Sequence, residues 1–388
     1  MDEVIEQPSG FPRLPEAPTN FFGCDVIVED LLVYVERSES ITLVGAGGIG
    51  KTAIALSLLR HSQILARFGH HRYFMRCHGL ESSLDGFLGR LSDAIGARDP
   101  RDMAQLRLHL SASPRHILVV DGVECILDPL APGAAEVTSA IEEFSRYQNL
   151  CLLLTSKMDV WIAGLRRIKV PKLSANGAQN VFYSRCGLER SAEVDNILEE
   201  LDSHPLSIDL LAGIANENGW DEATLLEEWD GGKTNIFGAH GRRGLGDNIK
   251  LALCTPTIQD HGMTALGTLR VLAALPNGIK ERELESTFAE IAEIGDATDA
   301  LCKFFLVYRQ EGYVKMLSPF RLYFLASRQT LVSDSTSDKA CNTVAGNIRY
   351  TPQDIFGFGS LFSFYQLCFS RVTSASRNLR AFRNTEVD

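Results

Sequence analysis

Four glycines, a lysine and a threonine fall within eight residues, Gly45-Ala46-Gly47-Gly48-Ile49-Gly50-Lys51-Thr52. The spacing fits G-x-x-x-x-G-K-[ST], a pattern with chemical content only between a buried strand and a helix. Both flanks are present: Ile41 to Val44 is an apolar run before it, and Ala53 to Leu59 reads as a helix after it. Gly45, Gly47, Gly48 and Gly50 lack a Cβ, so the backbone can curl and aim several N–H groups at one anion, beside a helix N-terminus that favours negative charge. In such a loop Lys51 reaches the β- and γ-phosphates and Thr52 offers a hydroxyl to Mg²⁺. Ile49 and Ala53 complete the stretch that wraps the phosphates.

A second constellation is carried by His116-Ile117-Leu118-Val119-Val120-Asp121, an apolar run that delivers an acid at its end. Parallel sheets present ligand-binding groups at the C-terminal ends of their strands. Asp121 is therefore placed to hold the Mg²⁺ shell, and Glu124 to orient or deprotonate an attacking water. Glu124 reads equally well as a solvated carboxylate at a helix start, because no adjacent second acid accompanies Asp121. Leu150 to Leu154 ends in Thr155-Ser156-Lys157, again polar groups at a strand's end. Ser156-Lys157-Met158-Asp159 has a passing likeness to the guanine-reading N-K-x-D motif. Ser156 replaces its Asn, and no D-x-x-G partner is present, so adenine is expected in preference to guanine.

The elements that must position these groups follow from periodicity. Residues 1–19 carry Pro8, Pro12, Pro15 and Pro18 and read as a disordered leader. Residues 20–173 alternate strands (at His71 to Cys77, His116 to Asp121, Leu150 to Thr155 and Ile168 to Leu173) with helical sequence, which implies a parallel sheet covered on both faces. Residues 174–235 read as a helical domain, with Ser174 as a helix cap and Pro205 opening a third helix. Residues 236–329 read as a linker, from a polar, Gly-rich stretch over Asp230 to Gly246, and a winged-helix domain. In that domain Asp296 and Asp299 resemble a capping pair, and Leu306 to Met316 alternates around Glu311-Gly312 as a hairpin. Residues 330–388 show no sustained period. The fold class is α/β: a parallel P-loop NTPase sheet followed by a helical domain and a winged-helix domain.

The chain has 388 residues and a formal net charge of -11. That charge offers no general attraction to a polyanion, and nucleic acid is not expected as a partner. Nine cysteines without a C-x-x-C pair suit a reduced compartment, so a cytoplasmic location is expected. The acidic N-terminus lacks a signal peptide's basic and apolar regions. Ile355 to Phe369 is too short and polar for a membrane span, and no membrane partner is expected.

The order Phe21-Phe22-Gly23-Cys24-Asp25, phosphate loop, Leu118 to Asp121, Leu154 to Lys157, His204-Pro205-Leu206 and winged helix resembles the NB-ARC module of STAND signal-transduction ATPases. That class includes plant resistance proteins, apoptotic scaffolds and fungal NOD-like receptors, and the texture is closest to the fungal members. The resemblance covers roughly residues 20–325. It implies that Phe22 and Gly23 line the adenine pocket, where Cys24 stands in place of the usual Arg. It implies that Thr155, Ser156 and Lys157 form a sensor segment, with Lys157 for Arg, a change that loses a planar fork. Pro205 matches the G-L-P-L motif, with His204 where Leu is common. Met316-Leu317-Ser318-Pro319 stands where the family has Met-His-Asp facing the diphosphate, which makes Ser318 the candidate there, with a helix N-cap as its other reading.

The resemblance further implies an ATP/ADP-binding switch with Mg²⁺, acting in innate immunity or programmed cell death. Partners would be further copies of this chain or full-length receptors of the same family. Neither the N-terminal effector nor the C-terminal repeats of that class is recognised, so a truncated paralogue, an adaptor and an incomplete chain all remain open. Two other functions are weighed: a winged-helix DNA-binding regulator with a P-loop module, and a conventional, fast-turnover P-loop ATPase.

Overall fold

A computed structural model describes residues 13–16, 21–96, 103–111, 114–239, 245–273, 275, 277–287 and 293–330. Most of the expected leader, the whole expected tail from residue 331, and the apolar positions Phe288 and Ile291 lie outside them.

The first unit comprises α1 (Asp25–Glu36), β1 (Ser40–Val44), α2 (Lys51–Arg60), α3 (Ser62–Phe68), β2 (Arg72–Arg76), α4 (Leu84–Ile95), α5 (Met103–Ser111), β3 (His116–Asp121), α6 (Glu124–Leu127), α7 (Ala134–Phe144), β4 (Leu150–Ser156) and β5 (Leu165–Lys169). Its five strands pair in parallel in the order β2-β3-β4-β1-β5. Strand side chains alternate between faces. Ile41, Leu43, Ile117, Val119 and Leu153 meet α1, α2 and α3 on one face, and Leu118, Val120, Leu152 and Leu154 meet α4 and α7 on the other. Both faces are covered, which is why these strands read as continuous apolar runs. The strand expected at Ile168 to Leu173 lies earlier, at Leu165–Lys169, an edge strand whose exposed Arg166, Arg167 and Lys169 hid its period.

The second unit holds α8 (Ala175–Cys186), α9 (Ala192–Glu200), α10 (Pro205–Asn218) and α11 (Glu222–Ala239). Ser174 caps α8 as expected, its Oγ accepting from Gly177 N at 3.1 Å. The stretch read as a linker is helical as far as Ala239, so the boundary expected at residue 235 falls inside α11. Leu225 and Trp229, almost fully buried, anchor this helix in the core, and that packing outweighs the weak propensity of Gly231-Gly232.

The third unit contains α12 (Leu245–Leu253), α13 (Pro256–Ala273), β6 (Ile279–Lys280), α14 (Glu281–Thr287), α15 (Ile294–Lys303), β7 (Val307–Gln310), β8 (Tyr313–Met316) and α16 (Ser318–Thr330). The expected hairpin is β7-β8. Its two loop residues, Glu311 and Gly312, both have positive φ, at 53° and 77°, as a two-residue turn of the primed type requires. Asp296 and Asp299 are not caps: both lie within α15, where Asp299 pairs with Arg309. The apolar core of this unit is continuous with the α4–α7 face of the sheet.

Candidate functional site

The parallel register sets Asp121 of β3 beside Thr155 of β4, and β4 beside β1, so the acid, the sensor segment and the glycine loop converge at one sheet edge. Asp121 Oδ1 accepts hydrogen bonds from Thr52 Oγ1 and Thr155 Oγ1, each at 2.7 Å. Thr155 Oγ1 in turn accepts from Gly122 N at 3.0 Å. A hydroxyl and a carboxylate so joined, at a helix N-terminus, form the hard oxygen set that suits Mg²⁺ beside phosphate.

Gly50 caps α2 with φ of 102°, a conformation that glycine adopts without steric cost. Lys51 is 6% exposed, and its Nζ donates to Gly45 O at 2.6 Å and Ala46 O at 2.8 Å. Burial lowers its pKa to about 7, Glu124 and Asp121 partly offset that, and Lys157 adds to it. Glu124 starts α6, its Oε2 accepts from Lys157 N at 3.0 Å, and the Lys157 ammonium lies 4.0 Å from Oε1.

These groups line a cleft of about 780 Å³, within the size range of small-molecule sites. Of the expected residues, Phe22, Gly48, Gly50, Lys51, Thr52, Ala53, Asp121, Glu124, Thr155, Lys157 and Pro205 face it. Gly45, Gly47 and Ile49 sit behind it: Gly45 O holds Lys51, Gly47 O accepts from His204, and Ile49 is buried in the core. Gly23 instead lets two segments of the backbone touch, since a Cβ there would meet Gly177 Cα at 2.8 Å. Ser156 is fully buried and its Oγ accepts from Met158 N, a strand-end turn. Ser318 is not part of the lining. Its N–H donates to Asp202 Oδ2 at 2.6 Å, and Ser318 is the first residue of α16 rather than the residue before it, so the helix N-cap reading places it one position early. Asp159 also lies outside the lining, in a two-pronged pair with Arg167, which agrees with setting aside the guanine motif.

The sequence reading missed several walls. Arg76 ends β2 and His78 lies two residues beyond it, Arg185 and Asp209 form an ion pair in the second unit, and Leu251, Ala252, Thr255 and Phe304 come from the third unit. Arg185 lies one helical turn beyond Val181 and Asp209 one turn beyond Pro205, so period was the signal available. His204 is also more than a substitute for Leu. It is buried, contacts the phosphate loop, and burial pulls its pKa down to about 4.

No family profile and no curated protein sequence matches the chain. Among solved structures, a Walker-type ATPase of Pyrococcus abyssi superposes with a TM-score of 0.57 at 12% identity, over 81% of this chain and 98% of that one. A STAND protein with a tetratricopeptide repeat sensor from Pyrococcus horikoshii gives 0.38 at 13% identity, over 83% of this chain and 47% of that one. The Drosophila ORC bound to DNA gives 0.40 at 13%, over 80% and 89%. Sheet order, loop geometry and the first of these likenesses together establish that this chain has the fold of the P-loop ATPases.

Proposed function

We propose that the chain is an ATP/ADP-binding switch of the STAND type, a slow ATPase whose nucleotide state governs how its three units sit together. The observation that carries this reading is that all three units line one cleft around the phosphate loop: Lys51 and Asp121 from the first, Pro205 and Leu206 from the second, Thr255 and Phe304 from the third. Walls drawn from three units make occupancy of the site depend on how those units sit, which suits a switch. The motif order supports extending the reading to NB-ARC-like signalling in immunity or cell death, with a winged helix as the third unit and copies of the chain or related receptors as partners.

Phosphate is bound by the N–H groups of the loop and α2 and by Lys51, whose charge neutralises part of the triphosphate. Thr52 and Asp121 would hold Mg²⁺, which when bound draws negative charge from the phosphate oxygens. Glu124 sits at the sheet edge, where it can accept a proton from an attacking water. Its carboxylate is already engaged by Lys157 N, which favours slow hydrolysis. The apolar end, with Phe21, Phe22, Leu173 and Val181, suits a purine face. The test is Lys51→Ala, expected to abolish ATP and ADP binding by calorimetry with helical content unchanged. Wild-type affinity in that variant removes the loop from the function, and rapid multiple turnover by the unaltered protein favours a conventional ATPase.

A further inference from the structure

An anion cradle needs its N–H groups turned in and its carbonyls turned out, and each buried carbonyl turned out needs a donor. In this loop Gly45 O and Ala46 O are taken by Lys51 Nζ, and Gly50 O by Ile54 N. Gly47 O and Gly48 O are satisfied from the second unit instead, by His204 Nε2 at 3.0 Å and Leu206 N at 3.3 Å.

The Gly47 carbonyl is the one most in need of a fixed partner. Ile49 N donates to Ala46 O at 3.3 Å, so residues 46–49 form a β-turn whose central peptide joins Gly47 to Gly48. Gly48 has φ of +84°, the value of the third residue of a type II turn. Rotating that central peptide gives a type I turn and sends Gly47 O to the opposite face. With glycine on both sides, little steric cost opposes the rotation. In a trans peptide the N–H points opposite to the C=O. A Gly47 carbonyl directed at His204 therefore directs the Gly48 N–H the other way, and Gly48 lines the cleft.

We propose that His204 is a positioning residue for the phosphate loop: its Nε2–H selects the type II form of the Gly47–Gly48 peptide and so keeps a donor, not a carbonyl, facing the phosphates. The role rests on the nucleotide-binding reading. A carbonyl only accepts, so Nε2 carries the proton and Nδ1 accepts from Ser207 Oγ–H at 3.0 Å, which fixes the tautomer. The ring is buried and held at its edge by Phe320 of α16, 5.9 Å away at 67°. The contact is fitted on both sides, since a Cβ on Gly48 would meet Leu206 Cδ2 at 2.7 Å and His204 Cε1 at 2.9 Å.

The test compares His204→Leu, His204→Gln and His204→Met by calorimetry with ADP and Mg-ATP, alongside melting temperatures without nucleotide. Glutamine's amide nitrogen sits where Nε2 does and restores the donor, so His204→Gln should bind within about threefold of wild type. Leucine fills the space without a donor. Losing a buried hydrogen-bond partner should weaken its binding by about five- to a hundredfold. A packing role would reverse that order, with leucine tolerated and glutamine not. Equal affinities for the leucine and wild-type proteins, or equal losses for leucine and glutamine, overturn the assignment. Should the leucine variant not fold, His204→Met decides: methionine matches glutamine in length but has no donor, and an affinity equal to the glutamine variant's overturns the proposal. Failure of this assignment alone leaves wild-type binding intact, whereas wild-type protein that binds neither nucleotide overturns both readings.

Discussion

Nucleotide binding is expected to take up a proton at Lys51. Its side chain is buried, its Nζ donates to two carbonyls, and its pKa stands at about 7. A neutral amine has two N–H donors, which matches two carbonyl partners. Phosphate beside the same nitrogen stabilises the ammonium and returns its pKa to at least the ordinary value of about 10.4. At pH 8 the free protein then carries about 0.1 proton on Nζ and the complex about 1, an uptake of about 0.9 per nucleotide. At pH 6 both forms are mostly protonated and uptake falls to about 0.1.

The sign is fixed by that difference. Affinity is greatest below pH 7 and falls as pH rises, by about fiftyfold between pH 7 and pH 9. Folding without nucleotide runs the other way. The unfolded chain holds the proton more tightly, so this group's contribution makes the protein more stable as pH rises from about 7 to the unfolded value near 10.4. The assay is titration calorimetry of ADP at pH 8 in buffers of different ionisation enthalpy, where the slope counts protons. A slope below about 0.2 with nucleotide bound refutes the reasoning, because Lys51 would then be charged before the phosphate arrives.

Two further outcomes follow from single contacts. Asp128 is 1% exposed and accepts from Thr257 Oγ1 at 2.6 Å, Thr257 N at 3.2 Å and Leu130 N at 3.0 Å, so Asp128→Ala should cost about 2 kcal/mol by denaturant unfolding. Gly23→Ala puts a Cβ at φ of 70° and 2.8 Å from Gly177 Cα, and should lower stability by about 1–3 kcal/mol in the same measurement.

What was legible in the sequence was what is local. β3 spans the residues its apolar run marked, the Glu311-Gly312 turn closes its hairpin, and Ser174 caps α8, because each signal lies within a few residues of its effect. The phosphate loop, Thr52 and Asp121 were legible for the same reason, each set by one strand end. Groups delivered by packing were not. Nothing adjacent to Phe304 or Arg185 announces a cleft, and Gly231-Gly232 argued against a helix that Trp229 anchors from its preceding turn. Ser318 lies outside the cleft lining, and the side chain of its helix that approaches the loop's partner is Phe320, two residues on, against His204.

On the proposed switch reading, the joints around the cleft are where a bound ligand would act. Asp128 holds Thr257, Asp159 N donates to Lys303 O at 2.6 Å, and the Lys169 ammonium lies 5.6 Å from the Phe305 ring centre. Ser318 N donates to Asp202, and His204 joins the loop to Phe320. Individual bonds of these kinds contribute about 0.5–1.5 kcal/mol net. Phe305 works against them, since an aromatic residue at φ of 54° costs about 1–3 kcal/mol. On the switch reading, opening would give up these contacts together with part of the apolar seam that joins the third unit to the α4–α7 face of the sheet. That seam carries the larger share of the cost, so the 1–3 kcal/mol by which one ligand typically couples to a second site suits a rearrangement at the polar joints better than full separation of the units.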